Sequence, residues 1–348
     1  MIDKSVMLCT VPFSYSEVFK DRHHLCCPGW LKEDVYDTGN ILTDFHSSKS
    51  DNIRNSILDG SYKYCDEQQC PHLAALSQNK ILDNRFIKKT DLRIQQLKDN
   101  VSLKNINLCF DESCNYKCPS CRLDFINFKG TELLKVEENL LQVENELGPT
   151  LEKMTLTGGG DPLFSNSFRK FLLRFDSKKF PKLKNIHLLT NGSLWTESLW
   201  SKLYKIHPYV KTCEISIDAG TKETYETKTR IGGNWDNLLE RLGFIVSIPT
   251  IQHHTFSFVV QDSNYKEMYK FYELISNLNW NHAKKFNIFF NHITNWGTFT
   301  EMEYLSKDVS NPNHKLHGDF LLELNKIHNK KNVTHNFNHL IKSKINLL

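Results

Sequence analysis

An α/β fold is predicted, with six β/α repeats on a parallel sheet in residues 101–300, a small cysteine-rich module in 1–100 and a helical tail in 301–348. Three observations carry this. From about residue 101, short apolar runs alternate with longer amphipathic stretches, the pattern of βαβ units. The preceding hundred residues are rich in Cys, His, Asp and Asn, with turn signals at Cys27-Pro28-Gly29 and Asp59-Gly60. At 348 residues the chain also exceeds the roughly 250–300 at which a single core stops growing.

The expected strands are Leu103–Phe110, Lys153–Leu156, Asn185–Leu189, Thr212–Ile217, His254–Val260 and Phe286–Phe290, each a short apolar run with turn residues near its ends. Helical stretches lie between them. Thr131–Leu147 places Leu133, Leu134, Val136, Leu140, Leu141, Val143 and Leu147 along one face at helical spacing. In the first hundred residues, Asn52–Leu58 sets Ile53, Ile57 and Leu58 at the same spacing and predicts one short helix.

Hydrophobic residues at 39% and charged residues at 24% fit a globular protein, and no apolar run reaches the roughly 20 residues that a membrane span needs. Met1–Phe13 lacks the zones of a secretory signal, so a cytoplasmic location is expected. A net charge of +4, with 44 basic residues spread along the chain, gives no nucleic-acid signal. Asn325–Lys344, where Lys is mixed with His and Asn, reads as a solvated tail.

The ten cysteines stand at 9, 26, 27, 65, 70, 109, 114, 118, 121 and 213. Where thiols stay reduced, such clustering favours metal ligation over disulfides. Cys109 and Cys213 fall inside strands and read as buried small hydrophobes. The decisive group is Cys114-Asn115-Tyr116-Lys117-Cys118-Pro119-Ser120-Cys121, directly after the first strand of the repeats. Iron-sulfur cubanes are usually held by four Cys, so three on one loop leave one iron open for chemistry. Structural zinc wants four closed ligands, commonly in two pairs, which this spacing does not offer. A non-catalytic zinc- or iron-sulfur-binding interaction protein remains the alternative class, and turnover of the iron-reconstituted, reduced protein separates the two.

The Cys-x3-Cys-x2-Cys spacing resembles the signature of the radical S-adenosylmethionine (SAM) superfamily, and the likeness extends from about residue 103 to 297. Thr157-Gly158-Gly159-Gly160-Asp161-Pro162 is similar to the family's glycine-rich motif for the SAM amino group, with Asp161 where a Glu is common. Leu189-Thr190-Asn191-Gly192 resembles a turn near the methionine and ribose parts of SAM. Ser216-Ile217-Asp218-Ala219 resembles a strand end whose Ser and Asp reach the ribose hydroxyls, and strand alternation would point Ser216 and Asp218 to one side. Arg230-Ile231-Gly232-Gly233 resembles a segment whose Arg pairs with the SAM carboxylate. Val259–Asn264 is similar to a strand end whose polar groups face substrate, and His292 and Trp296 are placed to line the same mouth. The residue before the third cysteine is often aromatic in the family, whereas Ser120 stands here.

The resemblance implies a partial (β/α)6 TIM-like barrel, a 4Fe-4S cluster on Cys114, Cys118 and Cys121, and bound SAM. It also implies reductive SAM cleavage to a 5'-deoxyadenosyl radical that takes hydrogen from a peptide side chain, a sugar or another small metabolite, with flavodoxin or ferredoxin as electron donor. The N-terminal Cys9, Cys26, Cys27, Cys65 and Cys70, within Cys26-Cys27-Pro28-Gly29-Trp30, Ile53–Gly60 and Cys65-x4-Cys70, resemble the SPASM or twitch modules that hold auxiliary clusters. Five cysteines suffice for one such cluster, on Cys9, Cys65 and Cys70 with Cys26 or Cys27.

Overall fold

The computed structural model describes residues 6–32, 39–67, 69–70, 72–73, 76, 85–280, 285–337 and 340–341. The chain forms two compact units, the first of residues 1–111, 128–159 and 175–186, the second of 112–127, 160–174 and 187–348.

The strands of unit 1 are β1 (Met7–Cys9), β2 (Tyr15–Val18), β3 (His23–His24), β4 (Phe86–Lys88), β5 (Asn105–Leu108) and β6 (Lys153–Leu156). Its helices are α1 (Ile41–Phe45), α2 (Ser48–Asp59), α3 (Arg93–Asp99) and α4 (Gly130–Gln142). β1 and β4 form an antiparallel pair, and β2 lies parallel to β5, which lies parallel to β6. The pairing of β2 with β5 runs across the boundary expected at residue 100. Alternation explains it: Ser16 and Val18 are buried beside Ile106 and Leu108, while Tyr15, Glu17 and Asn107 face the other way. A four-residue strand with one strongly apolar residue leaves too little pattern to be read from sequence.

α2 is longer than the expected Asn52–Leu58 because both its ends are chemically marked. The Ser47 hydroxyl caps the first turn by accepting the Ser50 N–H at 3.2 Å, and Gly60 at φ +89° ends it in the left-handed region. Ile53 is buried, and Ile57 enters the core of β1 and β4 with Met7, Leu8, Phe13 and Tyr62. α4 continues into one π turn, Val143–Leu147. Of the seven apolar residues expected on its face, Val136, Leu140, Val143 and Leu147 are buried, whereas Leu134 and Leu141 are exposed.

Unit 2 holds β7 (Asn185–Thr190) from His187 onward, β8 (Val210–Ser216), β9 (His253–Val260), β10 (Lys285–His292) and β11 (Val333–His335), adjacent in that order. β8 with β9, β9 with β10 and β10 with β11 are parallel pairs. Its helices are α5 (Asn166–Arg174), α6 (Glu197–Lys202), α7 (Lys222–Thr224), α8 (Trp235–Ser247), α9 (Met268–Ser276), α10 (Glu301–Lys307) and α11 (His317–Ile327). Cys213 and Ile215 are buried on one face of β8, and Thr212, Glu214 and Ser216 lie half-buried on the other. Phe258 packs on Phe271 and Phe290 at ring separations of 5.1 and 5.4 Å, so the sheet and α9 share one aromatic core. The fold is thus a mostly parallel α/β fold, and all six expected strands occur, with ends shifted by at most two residues.

α8 begins at Asn234, whose side chain accepts the Asn237 N–H at 2.8 Å, and it buries Leu238, Leu242 and Ile245. Asn234→Ala removes that cap, and we expect urea denaturation to show a loss of about 1 kcal/mol. No change in the unfolding midpoint would contradict the assignment.

Within Asn325–Lys344, residues 325–337 are not the solvated tail that their charge suggested. β11 pairs with β10 through Val333 opposite Ile288, and Phe337, 1% exposed, packs edge-on against Phe320. Val333 and Phe337 are diluted by Lys, His and Asn, so composition hid them; residues 338–339 and 342–348 lie outside the described ones. Among the described residues no helix is long and apolar enough to cross a membrane.

Candidate active site

The three-cysteine loop belongs to unit 2 and is clamped at two points. Cys114 bridges Ile126, and Lys117 bridges Ile231 through its N–H at 2.9 Å from the Ile231 oxygen. Between Cys118 and Cys121 the backbone turns tightly, the Cys121 and Arg122 N–H groups both donating to the Cys118 oxygen. Cys114 and Cys118 are buried and Cys121 is exposed.

Each sulfur is met by a nitrogen donor. Cys114 Sγ accepts from the Tyr116 N–H at 3.4 Å and from Asn191 Nδ2 at 3.9 Å. Cys118 Sγ accepts from Arg230 Nη1 at 3.3 Å, and Cys121 Sγ from Arg122 Nη2 at 3.4 Å. Burial pushes the Cys114 thiol up to about 12, with the Asp161 carboxylate adding to the rise. Protein alone therefore keeps this thiol protonated, and only a metal would draw off its proton.

Among the described residues no three His, Cys, Asp or Glu side chains are arranged to hold a single metal ion. A cubane asks for something else. Its three thiolates bind three different irons, so they stand farther apart than the ligands of one ion. Three sulfurs on one clamped loop, each with an N–H donor and with two guanidinium groups close by, fit that donor set.

Gly158 and Gly159 follow β6 in unit 1, and a Cβ on Gly158 would lie 3.3 Å from Cys109 Sγ, a tight contact with the thiol. Gly160 and Asp161 open the next segment of unit 2. Asp161 does not offer its carboxylate outward. It is 1% exposed, Oδ2 accepts from Thr190 Oγ1 at 2.6 Å and the Asn191 N–H at 2.9 Å, and Oδ1 accepts from the N–H groups of Leu163 and Phe164. Its function in the fold is to hold two loops together. Thr190 and Asn191 are fixed by it, and the Asn191 amide goes on to donate to Asn115 Oδ1 at 3.0 Å, inside the cysteine loop. The next residue, Gly192, sits at φ +79°, where a side chain is strained, and a Cβ there would lie 3.1 Å from Ile215 Cγ2.

Alternation does not carry through to Asp218. β8 ends at Ser216, and Asp218 takes a left-handed φ of +60°. Its carboxylate pairs with Arg230 at 2.7 Å and accepts the Val259 N–H at 2.7 Å, while Asn264 donates to its carbonyl at 2.9 Å. Arg230 thus contacts both the Asp218 carboxylate and Cys118 Sγ. Ser216 stays on the strand and exchanges a hydrogen bond with Ser257 at 3.1 Å. At the end of β9, Asn264 braces Asp218, and the Gln261 side-chain nitrogen is buried without a hydrogen-bond partner. His292 is tied to Asn336, whereas Trp296 is 56% exposed.

In unit 1, the Tyr62 hydroxyl accepts the Cys9 N–H and donates to the Met7 oxygen, Cys65 bridges Leu31, and Cys70 is buried. No disulfide joins any of the described cysteines. Burial pushes Cys65 up to about 12, with Cys9 and Cys70 next in effect. The adjacent pair differs. Cys26 is raised by burial and then by Cys9 and Cys70, while Cys27 is raised to about 11 by burial and then by Glu17.

Two features escaped the sequence reading. Arg122 adjoins Cys121 in the motif itself, and only its proximity could have drawn notice. Glu17, on β2, accepts from Tyr15 at 3.2 Å, Asn107 at 3.2 Å and the Cys109 thiol at 3.6 Å, and burial raises its carboxyl. Cys109, expected as a plain small hydrophobe, is fully buried yet bonded to a carboxylate.

Residues 110–275 match the model of the radical SAM superfamily. That match spans 166 of the chain's 348 residues. No curated protein matches it. Solved structures similar to it include SuiB of Streptococcus suis bound to precursor peptide SuiA, at 14% identity, 86% of this chain, 64% of that one and a TM-score of 0.44. Another is native anSMEcpe with bound AdoMet, at 18% identity, 66% of this chain, 63% of that one and a TM-score of 0.40. The chain spans less than two thirds of the length of either.

Proposed function

We propose that this chain is a radical SAM enzyme that binds a 4Fe-4S cluster through Cys114, Cys118 and Cys121 and uses it to cleave SAM reductively, abstracting hydrogen from a peptide side chain, a sugar or another small metabolite. The observation that carries the reading is the donor set: three sulfurs on one loop, each already met by an N–H, with no fourth cysteine in the loop. When bound, the cluster supplies the electron that breaks a carbon–sulfur bond of SAM, chemistry beyond any side chain. The chain's own contribution is placement. Gly158, Gly159 and Gly160 allow close approach of the SAM amino group, the Thr190-Asn191 turn is fixed by Asp161, and Ser216 offers a hydroxyl to the ribose. Asp218 and Arg230 act as a pair that holds the edge of the site, with Arg230 at Cys118.

In the same reading, Cys9, Cys65 and Cys70 hold an auxiliary cluster with Cys26 or Cys27 as the fourth ligand, and of the two Cys26 shares the field of Cys9 and Cys70. Flavodoxin or ferredoxin serves as electron donor, and the cytoplasm as location.

The test is anaerobic reconstitution with iron and sulfide, then dithionite and SAM. Release of 5'-deoxyadenosine is expected. Protein that holds iron yet leaves SAM intact under reduction would refute the reading.

A further inference from the structure

We infer that Arg122, the residue after the third cysteine of the loop, is a positioning residue that sets the reduction potential of the cluster bound there. The inference rests on the reading of Cys114, Cys118 and Cys121 as ligands and adds a second, separable claim. Arg122 is 7% exposed. Its guanidinium is fixed at two corners, Nη1 donating to the Glu112 oxygen at 2.6 Å and Nη2 to Cys121 Sγ at 3.4 Å. A guanidinium stays protonated in proteins, so a fixed positive charge lies within hydrogen-bond distance of Cys121 Sγ.

The other guanidinium at the loop, Arg230, donates to Cys118 at 3.3 Å and is shared with the Asp218 carboxylate at 2.7 Å. Arg122 reaches the loop from the chain's next residue, and its bond to the Glu112 carbonyl holds the charged fork against Cys121.

Reduction adds one negative charge to a cluster. A fixed positive charge within hydrogen-bond distance of a ligand sulfur, screened from water, favours the reduced state, and the N–H···S bond itself acts in the same direction. Taking the cation away leaves the cluster harder to reduce. Lysine keeps a charge but not the planar fork that reaches the carbonyl and the sulfur together.

The experiment is a redox titration of the reconstituted full chain, followed by the EPR signal that responds to added SAM, with iron counted chemically. Arg122→Gln should keep the wild-type iron content and have a more negative midpoint. We expect about a tenfold loss in the reduced-to-oxidised ratio at fixed potential, ~59 mV for a one-electron couple. Arg122→Lys should fall between the two. An Arg122→Gln protein with full iron and an unchanged or more positive midpoint overturns the inference. If that variant holds no iron, Arg122→Lys decides, a midpoint below wild type supporting the role and one at or above it overturning it. Loss of iron in both variants also overturns it, because Arg122 would then serve assembly and not potential. Wild-type protein that takes up no iron would be a different failure, that of the ligand reading itself.

Discussion

Cys118→Ala lowers 5'-deoxyadenosine formation to background, a loss of about a thousandfold or more, which corresponds to ~4 kcal/mol of activation free energy. Two consequences of the same deletion combine to produce it. The cluster would keep two thiolates from this loop, too few to hold a cubane with one open iron. Arg230, whose Nη1 donates to Cys118 Sγ at 3.3 Å, would also lose the sulfur that fixes it beside Asp218. Cys213→Ala is the control, since that thiol is buried on the core face of β8. It should cost stability and leave iron content unchanged. Cys118→Ala protein that cleaves SAM at the wild-type rate would remove Cys118 from the ligand set.

Asp161→Ala should destabilise the fold by on the order of 4 kcal/mol, because it strands four donors at about 1 kcal/mol or more each. The donors are the Thr190 hydroxyl and the N–H groups of Asn191, Leu163 and Phe164, all gathered on a carboxylate that is 1% exposed. The consequence reaches the site through Asn191, whose amide spans Asn115 and the Cys114 sulfur. Thermal unfolding should therefore fall by several degrees, and SAM binding should weaken even where protein stays folded. A stable Asp161→Ala protein would show that these hydrogen bonds are replaced by water, and would return Asp161 to the role of a dispensable turn residue.

Much of this arrangement was legible in the residues themselves. The cysteine loop is a local motif, and Ile186, Leu188, Cys213, Ile215, Phe256 and Phe258 mark their strands by burial on one face. What escaped is what depends on partners far along the chain. Nothing near Asp161 foretells that residues 190 and 191 will take both bonds of one of its oxygens. Nothing near Asp218 foretells a left-handed turn that breaks the strand's alternation and delivers the carboxylate to Arg230. β2 and β11 were missed for a different reason: at four and three residues they carry too little period to separate them from loops. Polar residues in a site are fixed by tertiary contacts, and a linear pattern reports only the faces that meet the core.

The central claim is a cluster held by three cysteines of one loop with one iron left for SAM. EPR of the reduced, anaerobically reconstituted protein, recorded before and after SAM is added, measures it most directly. A cubane signal that changes when SAM binds is the expected result. A protein that carries zinc without iron, or a cubane whose spectrum is indifferent to SAM, would contradict it.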